Sequence, residues 1–156
     1  MFLSTYEKQL DAKRRLVVPQ DYRSRENGTE ASVFCFPSIE ADCLEAGGQA
    51  LFDLYQRVID DLPFGDALRS SLEWMVYGEQ KPLAFDTAGR IVLPELLCEE
   101  FALTDQVVLV GLKDRFQIWN RERWLERRAE QRQTARAGLS QLAALRRAAI
   151  VKVGEA

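Results

Sequence analysis

At 156 residues with 47% hydrophobic content, the chain can bury one core of ordinary size, or two small ones sharing an interface, and disorder throughout is excluded. No apolar run approaches the roughly 18 residues of a membrane span, and the sequence holds no histidine, which removes histidine-based catalysis and argues against a zinc or haem site. The net charge of −3 conceals an asymmetry: residues 127–156 carry seven Lys/Arg against two Glu, whereas residues 1–126 carry fourteen against twenty-two acidic residues, so a negative body precedes a positive tail.

The N-terminal MFLSTYEKQL lacks the basic start, long apolar centre and small-residue cleavage site of an export signal. Cys35, Cys43 and Cys98 are odd in number and form no C-x-x-C pair, which reads as buried small hydrophobes in a cytoplasmic protein. Next along the chain comes DAKRRLVVP at 11–19, and its pattern returns 75 residues later as DTAGRIVLP at 86–94. Asp11/Asp86, Arg15/Arg90, Val17/Val92 and Pro19/Pro94 are identical, while Leu16 answers Ile91 and Val18 answers Leu93. In each copy a β-prone run follows a turn, and the turn chemistry is explicit in the second, where Gly89 interrupts it.

Downstream of the first copy, SVFCF and the region of Cys43 and Leu44 predict a hairpin of longer, less regular form. Leu51, Leu54, Tyr55, Val58, Ile59 and Leu62 keep helical spacing, as do Leu68, Leu72, Met75 and Val76, with Gly78 as a stop. This stripe reads as core or helix contact joining two halves or two subunits. In the second copy, Pro94 suits the first helical position of PELLCEEFAL, with Leu97 and Phe101 on one face. QVVLVGL and FQIW around KDR predict a second hairpin, and Asn120 is placed to cap a final helix. The arginine-rich tail, with LSQLAALRRAA, is helical by propensity, and its end is expected to fray.

A 75-residue period in two copies is too long and too short-lived for a solenoid, so the architecture expected is a two-half domain with internal pseudo-symmetry, its turns side by side. In the turns, Asp accepts backbone N–H bonds and Arg projects from the next strand, with the aspartate of either copy as its partner. Turn-stabilising ion pairs alone explain one arginine each, but Lys13, Arg14 and Arg15 in succession exceed that need and favour an anionic partner. A carboxylate-pair enzyme using Asp11 and Asp86 is disfavoured, because an adjacent arginine keeps each ionised.

MFLSTY, the doubled D-x-x-x-R turn within LAFDTAGRIVLP, and DRFQIWNRERW together resemble the MraZ family, transcriptional regulators of the bacterial division and cell-wall cluster; the resemblance runs from Met1 to about Trp124. It implies an α+β fold of two SpoVT–AbrB-type halves, a duplicated swapped-hairpin β-barrel with added helices, divided as 1–62, a connecting helical segment 63–81, 82–126, and a tail 127–156. It also implies a ring of subunits, without enzymatic activity or cofactor, that binds short direct repeats of double-stranded DNA as a repressor, in the cytoplasm at the nucleoid. Carried over by position, Asp11, Lys13 and Arg15, with Asp86 and Arg90, form the DNA-facing motif. Lys13 and Arg14 are then expected at phosphates and Arg15 and Arg90 at base edges. The family's first turn usually reads D-x-K-G-R; Arg14 stands here in place of that glycine, while the second turn keeps Gly89 but offers no lysine, which places binding strength mainly in the first copy. The alternative is an AbrB-like interaction module or antitoxin acting mainly through a protein partner.

Overall fold

Alternation sets the first strand: along β1 (Thr5–Gln9), Tyr6 and Lys8 are half-buried while Thr5, Glu7 and Gln9 face solvent. The computed structural model describes residues 1–155. The first copy supplies β1, β2 (Arg15–Val17), β3 (Ser32–Pro37) and β4 (Leu44–Gly47); the second supplies β5 (Lys81–Ala84), β6 (Arg90–Val92), β7 (Gln106–Gly111) and β8 (Phe116–Asn120). Every pairing is antiparallel.

Six strands form one sheet in the order β1-β7-β8-β4-β3-β5, and β2 pairs with β6 as a separate ribbon. The opening strand of each copy therefore lies on the hairpin of the other: β1 on β7, with Tyr6 opposite Leu109, and β5 on β3, with Leu83 opposite Val33. Exchanging the copies reverses the sheet order onto itself. Pro82 is accommodated because β5 is an edge strand, where a missing N–H costs no ladder bond.

The core repeats as the sequence does. Leu16 and Val18 with Ile91 and Leu93 are all 0% exposed and share one cluster with Val33, Leu44, Leu109 and Ile118. Tyr22, also fully buried, packs on Phe2 and Phe116 and donates its hydroxyl to the Ser4 carbonyl at 2.6 Å. Cys35, Cys43 and Cys98 are free and buried, as expected of small hydrophobes, and burial raises the Cys35 thiol to about 12.

The helical stripe is only half core. Along α1 (Gln49–Asp60), Leu51, Tyr55 and Ile59 are buried against Phe36 and Val76, but Leu54 and Val58 are exposed. Asp66 caps α2 (Ala67–Leu72), accepting from the Leu68 amide at 2.8 Å; the chain then widens into a π-helical turn, Glu73–Gly78, that ends at the expected glycine. Only Val76 of its apolar residues is buried; Leu68 and Trp74 are exposed. Pro94 stands just before α3 (Glu95–Glu100) with extended backbone, one position earlier than expected, while Leu97 and Phe101 are buried together. Asn120 directly precedes α4 (Arg121–Ala137), and its side-chain amide donates to the Ala102 carbonyl at 2.9 Å.

The chain divides into two compact units, Met1–Arg121 and a second beginning at Glu122. The second is helical, comprising most of α4 and then α5 (Leu139–Glu155), with no buried residue in either helix. Leu139, Leu142, Leu145 and Ile150 are exposed on α5. No helix among the described residues is long and apolar enough to cross a membrane.

Where β4 meets β8, Glu45 lies opposite Gln117 and is 0% exposed. It accepts hydrogen bonds from Tyr55, from Ser38 and Gln117 at 3.1 Å each, and from Arg115 Nε at 3.3 Å; Arg115 also reaches Glu40 at 2.6 Å. Burial raises the Glu45 carboxyl, opposed by the Tyr55 and Gln117 hydrogen bonds and the Arg115 charge. Removing the one cation from this cluster strands a buried acid. Arg115→Met is expected to destabilise the fold by roughly 2–3 kcal/mol in urea unfolding, and by more at pH 8 than at pH 5, where Glu45 takes up its proton more readily.

Candidate nucleic-acid interface

Both D-x-x-x-R segments are turns, built alike. The Asp11 carboxylate takes N–H bonds from Lys13 at 2.9 Å and Arg15 at 2.8 Å on Oδ1, and Arg15 Nε donates to Oδ2 at 2.5 Å. The Asp86 carboxylate takes them from Ala88 and Arg90, both at 2.9 Å, and from Arg90 Nε at 2.7 Å. In the backbone, Arg14 N donates to Asp11 O at 3.0 Å and Gly89 N to Asp86 O at 3.0 Å. Only a short acceptor at the first position can satisfy two amides and a guanidinium at once, which explains the recurrence of aspartate. Each arginine pairs with the aspartate of its own turn, not of the opposite copy, because the four-residue turn brings the two side chains together locally.

The ribbon then joins the turns. Arg15 lies opposite Val92, Leu16 opposite Ile91 and Val17 opposite Arg90. Strand alternation sends Leu16 and Ile91 into the core and leaves Arg15, Val17, Arg90 and Val92 on the outer face, Val17 41% and Val92 50% exposed. The turns flank this ribbon at opposite ends, since antiparallel pairing carries each copy's turn to the far end of the other's strand; the arginines nevertheless share one face. Among the described residues, the terminal nitrogens of Arg15 and Arg90 have no hydrogen-bond partner, so each guanidinium is anchored by Nε and open at its fork.

Lys13 is exposed, whereas Arg14 is half-buried with φ 60°, matching Gly89 at φ 74°. The turn therefore does require positive φ at this place. Arg14 Nε donates to the Leu93 carbonyl at 3.1 Å, and Leu93 N returns a bond to Arg14 O at 2.9 Å. Two cations carry no mark in the sequence. Arg23 donates Nε to the Val18 carbonyl at 3.0 Å from just beyond the first repeated segment, and Arg115 joins the buried acid cluster through residues some seventy positions earlier; the repeat spacing marks neither.

The Asp11 and Asp86 carboxyls are held below the ordinary aspartate value of 3.8, mainly by the backbone N–H of Arg15 and of Arg90, then by the guanidinium bonds. Among the described residues no group of His, Cys, Asp and Glu could hold a metal ion. What remains at the surface is a short ribbon with paired, oriented guanidinium groups and exposed valine methyls, a shape and chemistry suited to an extended anionic partner.

The model of the family described as "MraZ protein, putative antitoxin-like" matches residues 75–146. Over 149 residues the chain is 63% identical to "Transcriptional regulator MraZ" of Phenylobacterium zucineum, covering 96% of this chain and 93% of that one. The chain belongs to the MraZ family. The Caulobacter vibrioides (strain NA1000 / CB15N) relative of the same name is 60% identical over 149 residues, 96% of each chain, and the Rickettsia typhi relative 36% over 121 residues, 76% of this chain and 80% of its own. The family model covers the second turn and not the first, whereas the Phenylobacterium zucineum and Caulobacter vibrioides relatives align with nearly the whole chain.

Two outcomes follow from the turn geometry. Arg14→Gly relieves a positive-φ cost of about 1 kcal/mol but loses a hydrogen bond of about the same worth, so melting should barely change, whereas Arg14→Ala keeps the Cβ, loses the bond and should cost about 1 kcal/mol. Because the two aspartates are depressed in the folded state, the stabilisation they give is fully present above their unfolded value and is lost as pH falls through the folded one. An NMR titration should place both carboxyl midpoints below 3.8, with the Arg15 and Arg90 Nε signals shifting in parallel.

Proposed function

We propose that this MraZ protein is a sequence-specific DNA-binding transcriptional regulator, acting as a repressor and without catalysis. The observation that carries the reading is the β2–β6 ribbon, on whose outer face Arg15 and Arg90 are each aimed by an aspartate. A two-stranded ribbon fits the major groove, where an arginine fork recognises guanine and an exposed methyl group, such as those of Val17 and Val92, meets the thymine methyl. Lys13 and Arg14 are the phosphate contacts of the first turn, and Asp11, Asp86 and Gly89 shape the two turns.

The exchanged opening strands and the ribbon are read as a swapped-hairpin β-barrel of SpoVT–AbrB type, with halves 1–62 and 82–126 joined through 63–81. Residues 127–156 add sequence-independent attraction to DNA through their positive charge. One ribbon offers few contacts, so useful affinity needs several copies on repeated sites, in a closed ring. Exposed Leu54, Val58, Phe64 and Trp74, on and around the connecting helices, supply apolar surface for that assembly. The targets on this reading are direct repeats upstream of the division and cell-wall gene cluster, at the nucleoid in the cytoplasm.

Selecting genomic fragments with the purified protein should enrich a discrete repeat. Arg15→Ala and Arg90→Ala should each weaken binding to it at least tenfold while melting and the light-scattering mass stay unchanged, since half-exposed turn charges contribute little stability. Enrichment of no sequence, or unaltered affinity in both variants, would remove the reading.

A further inference from the structure

Of the three positions at which the turns differ, one is Arg14 against Gly89, and a second pair of equivalent positions differs with it, Arg23 against Cys98. The differences compensate. At the second turn, a Cβ on Gly89 would lie 2.5 Å from Cζ and 2.6 Å from Nη1 of Arg23, so the Arg23 guanidinium occupies the space that a side chain at 89 would fill. From there Arg23 Nε donates to the Val18 carbonyl at 3.0 Å. At the first turn, Arg14 sends its own guanidinium out, and its Nε donates to the Leu93 carbonyl at 3.1 Å. Val18 and Leu93 are the equivalent residues of the two copies, each returning its N–H to the turn residue concerned: Val18 N to Gly89 O at 3.1 Å and Leu93 N to Arg14 O at 2.9 Å.

A guanidinium is thus fixed on the equivalent carbonyl at both ends of the ribbon, once from the turn and once from the residue that ends the 3-10 turn (Gln20–Tyr22) after Pro19. Cys98, at the place equivalent to Arg23, is small and lies near enough to Arg14 for that charge to act on its thiol. Among the described residues neither Arg14 nor Arg23 has a carboxylate partner, although the body is acidic overall; Arg23 instead rests over the Phe85 ring at 5.8 Å. An arginine at each end with no acid to pair it is the arrangement for holding a phosphate.

We infer that Arg23 is a DNA phosphate contact serving the second turn, the counterpart of Arg14 at the first, so that each end of the ribbon grips the backbone with a guanidinium, Lys13 adding a second cation at the first. The inference rests on the DNA-binding reading and narrows the expected excess of the first copy to the single charge of Lys13. The second turn lacks a basic residue at 87–89 because its cation arrives from the other half of the chain.

The test uses the full-length protein and two fluorescent duplexes, one enriched by the wild type from a random-sequence library and one unselected. Arg23→Gln removes the charge but keeps an N–H donor. It should weaken binding to both duplexes alike, by about tenfold, and lower the slope of log affinity against log salt by about 0.9 for each phosphate no longer neutralised, with melting near the wild type. The double variant Arg23→Cys with Gly89→Arg, kept under reducing conditions, reproduces the pair found at 14 and 98 and should recover affinity and salt slope. Arg15→Ala serves as the control for the reading itself. If Arg15→Ala abolishes preference for the enriched duplex while Arg23→Gln changes neither affinity nor slope, Arg23 is only a packing residue and the inference is overturned. A loss in Arg23→Gln that the double variant does not recover, though its melting is restored, overturns the equivalence of the two positions. If the wild type enriches nothing, or Arg15→Ala has no effect, the DNA reading fails first.

Discussion

Everything at the candidate interface depends on one pairing, the three-residue antiparallel contact of β2 with β6. Its central pair, Leu16 and Ile91, is buried completely and comes from equivalent positions of the two copies. Each half brings a strand too short to be stable alone, and burial of its central residue requires the other half's strand beside it. The same dependence holds in the larger sheet, where β1 and β5 are exchanged between the hairpins. Neither copy has a complete core without its counterpart, so the duplication yields one cooperative body rather than two beads.

From that pairing the electrostatics follow. The core takes the middle residue of each strand, and alternation leaves the residues on either side facing out, which fixes Arg15 and Arg90 on one face without further help. Aspartate then determines what the arginines do. A free arginine would sample many rotamers; one held at Nε by a carboxylate that is itself fixed by two amides presents its outer fork in a defined direction. The ion pairs are therefore compatible with both structural and binding roles, and the exposed fork is what separates this arrangement from a turn brace alone.

The repeat was legible because a turn with two amides converging on one carboxylate tolerates few residues at its first and fifth positions, and the strand after it must alternate. The relation between turns was less legible. Opposite ends of a ribbon and the pairing of each arginine within its own turn depend on strand direction, which spacing along the chain does not encode. The helical stripe was half right for a similar reason: the period of Leu51, Tyr55 and Ile59 identifies the buried face, but adding Leu54 and Val58 widens the stripe beyond what one sheet surface covers. Pro94 fell one position off because a residue with fixed φ suits either side of the helix boundary. Arg23 left no trace at all, since its role is defined by the absence of a side chain at Gly89, sixty-six residues away.

The magnitudes also constrain how such a surface is used. On the proposed reading a ribbon has two base-reading arginines, each worth about 1–3 kcal/mol of discrimination, and phosphate contacts that favour all sequences equally. One ribbon thus supplies about 2–6 kcal/mol of preference, near the low end of the roughly 4–10 kcal/mol that separates specific from non-specific binding in DNA regulators. The ribbon cannot grow, because β2 and β6 end where Pro19 and Pro94 turn the chain away. Greater discrimination must come from repetition, with a second ribbon on a second site adding its preference to the first at the high local concentration set by a shared body. On the proposed reading, the apolar side chains left uncovered on and around the connecting helices, Phe64 at 94% exposure and Trp74 at 76%, are where copies of the chain would meet to bring ribbons together.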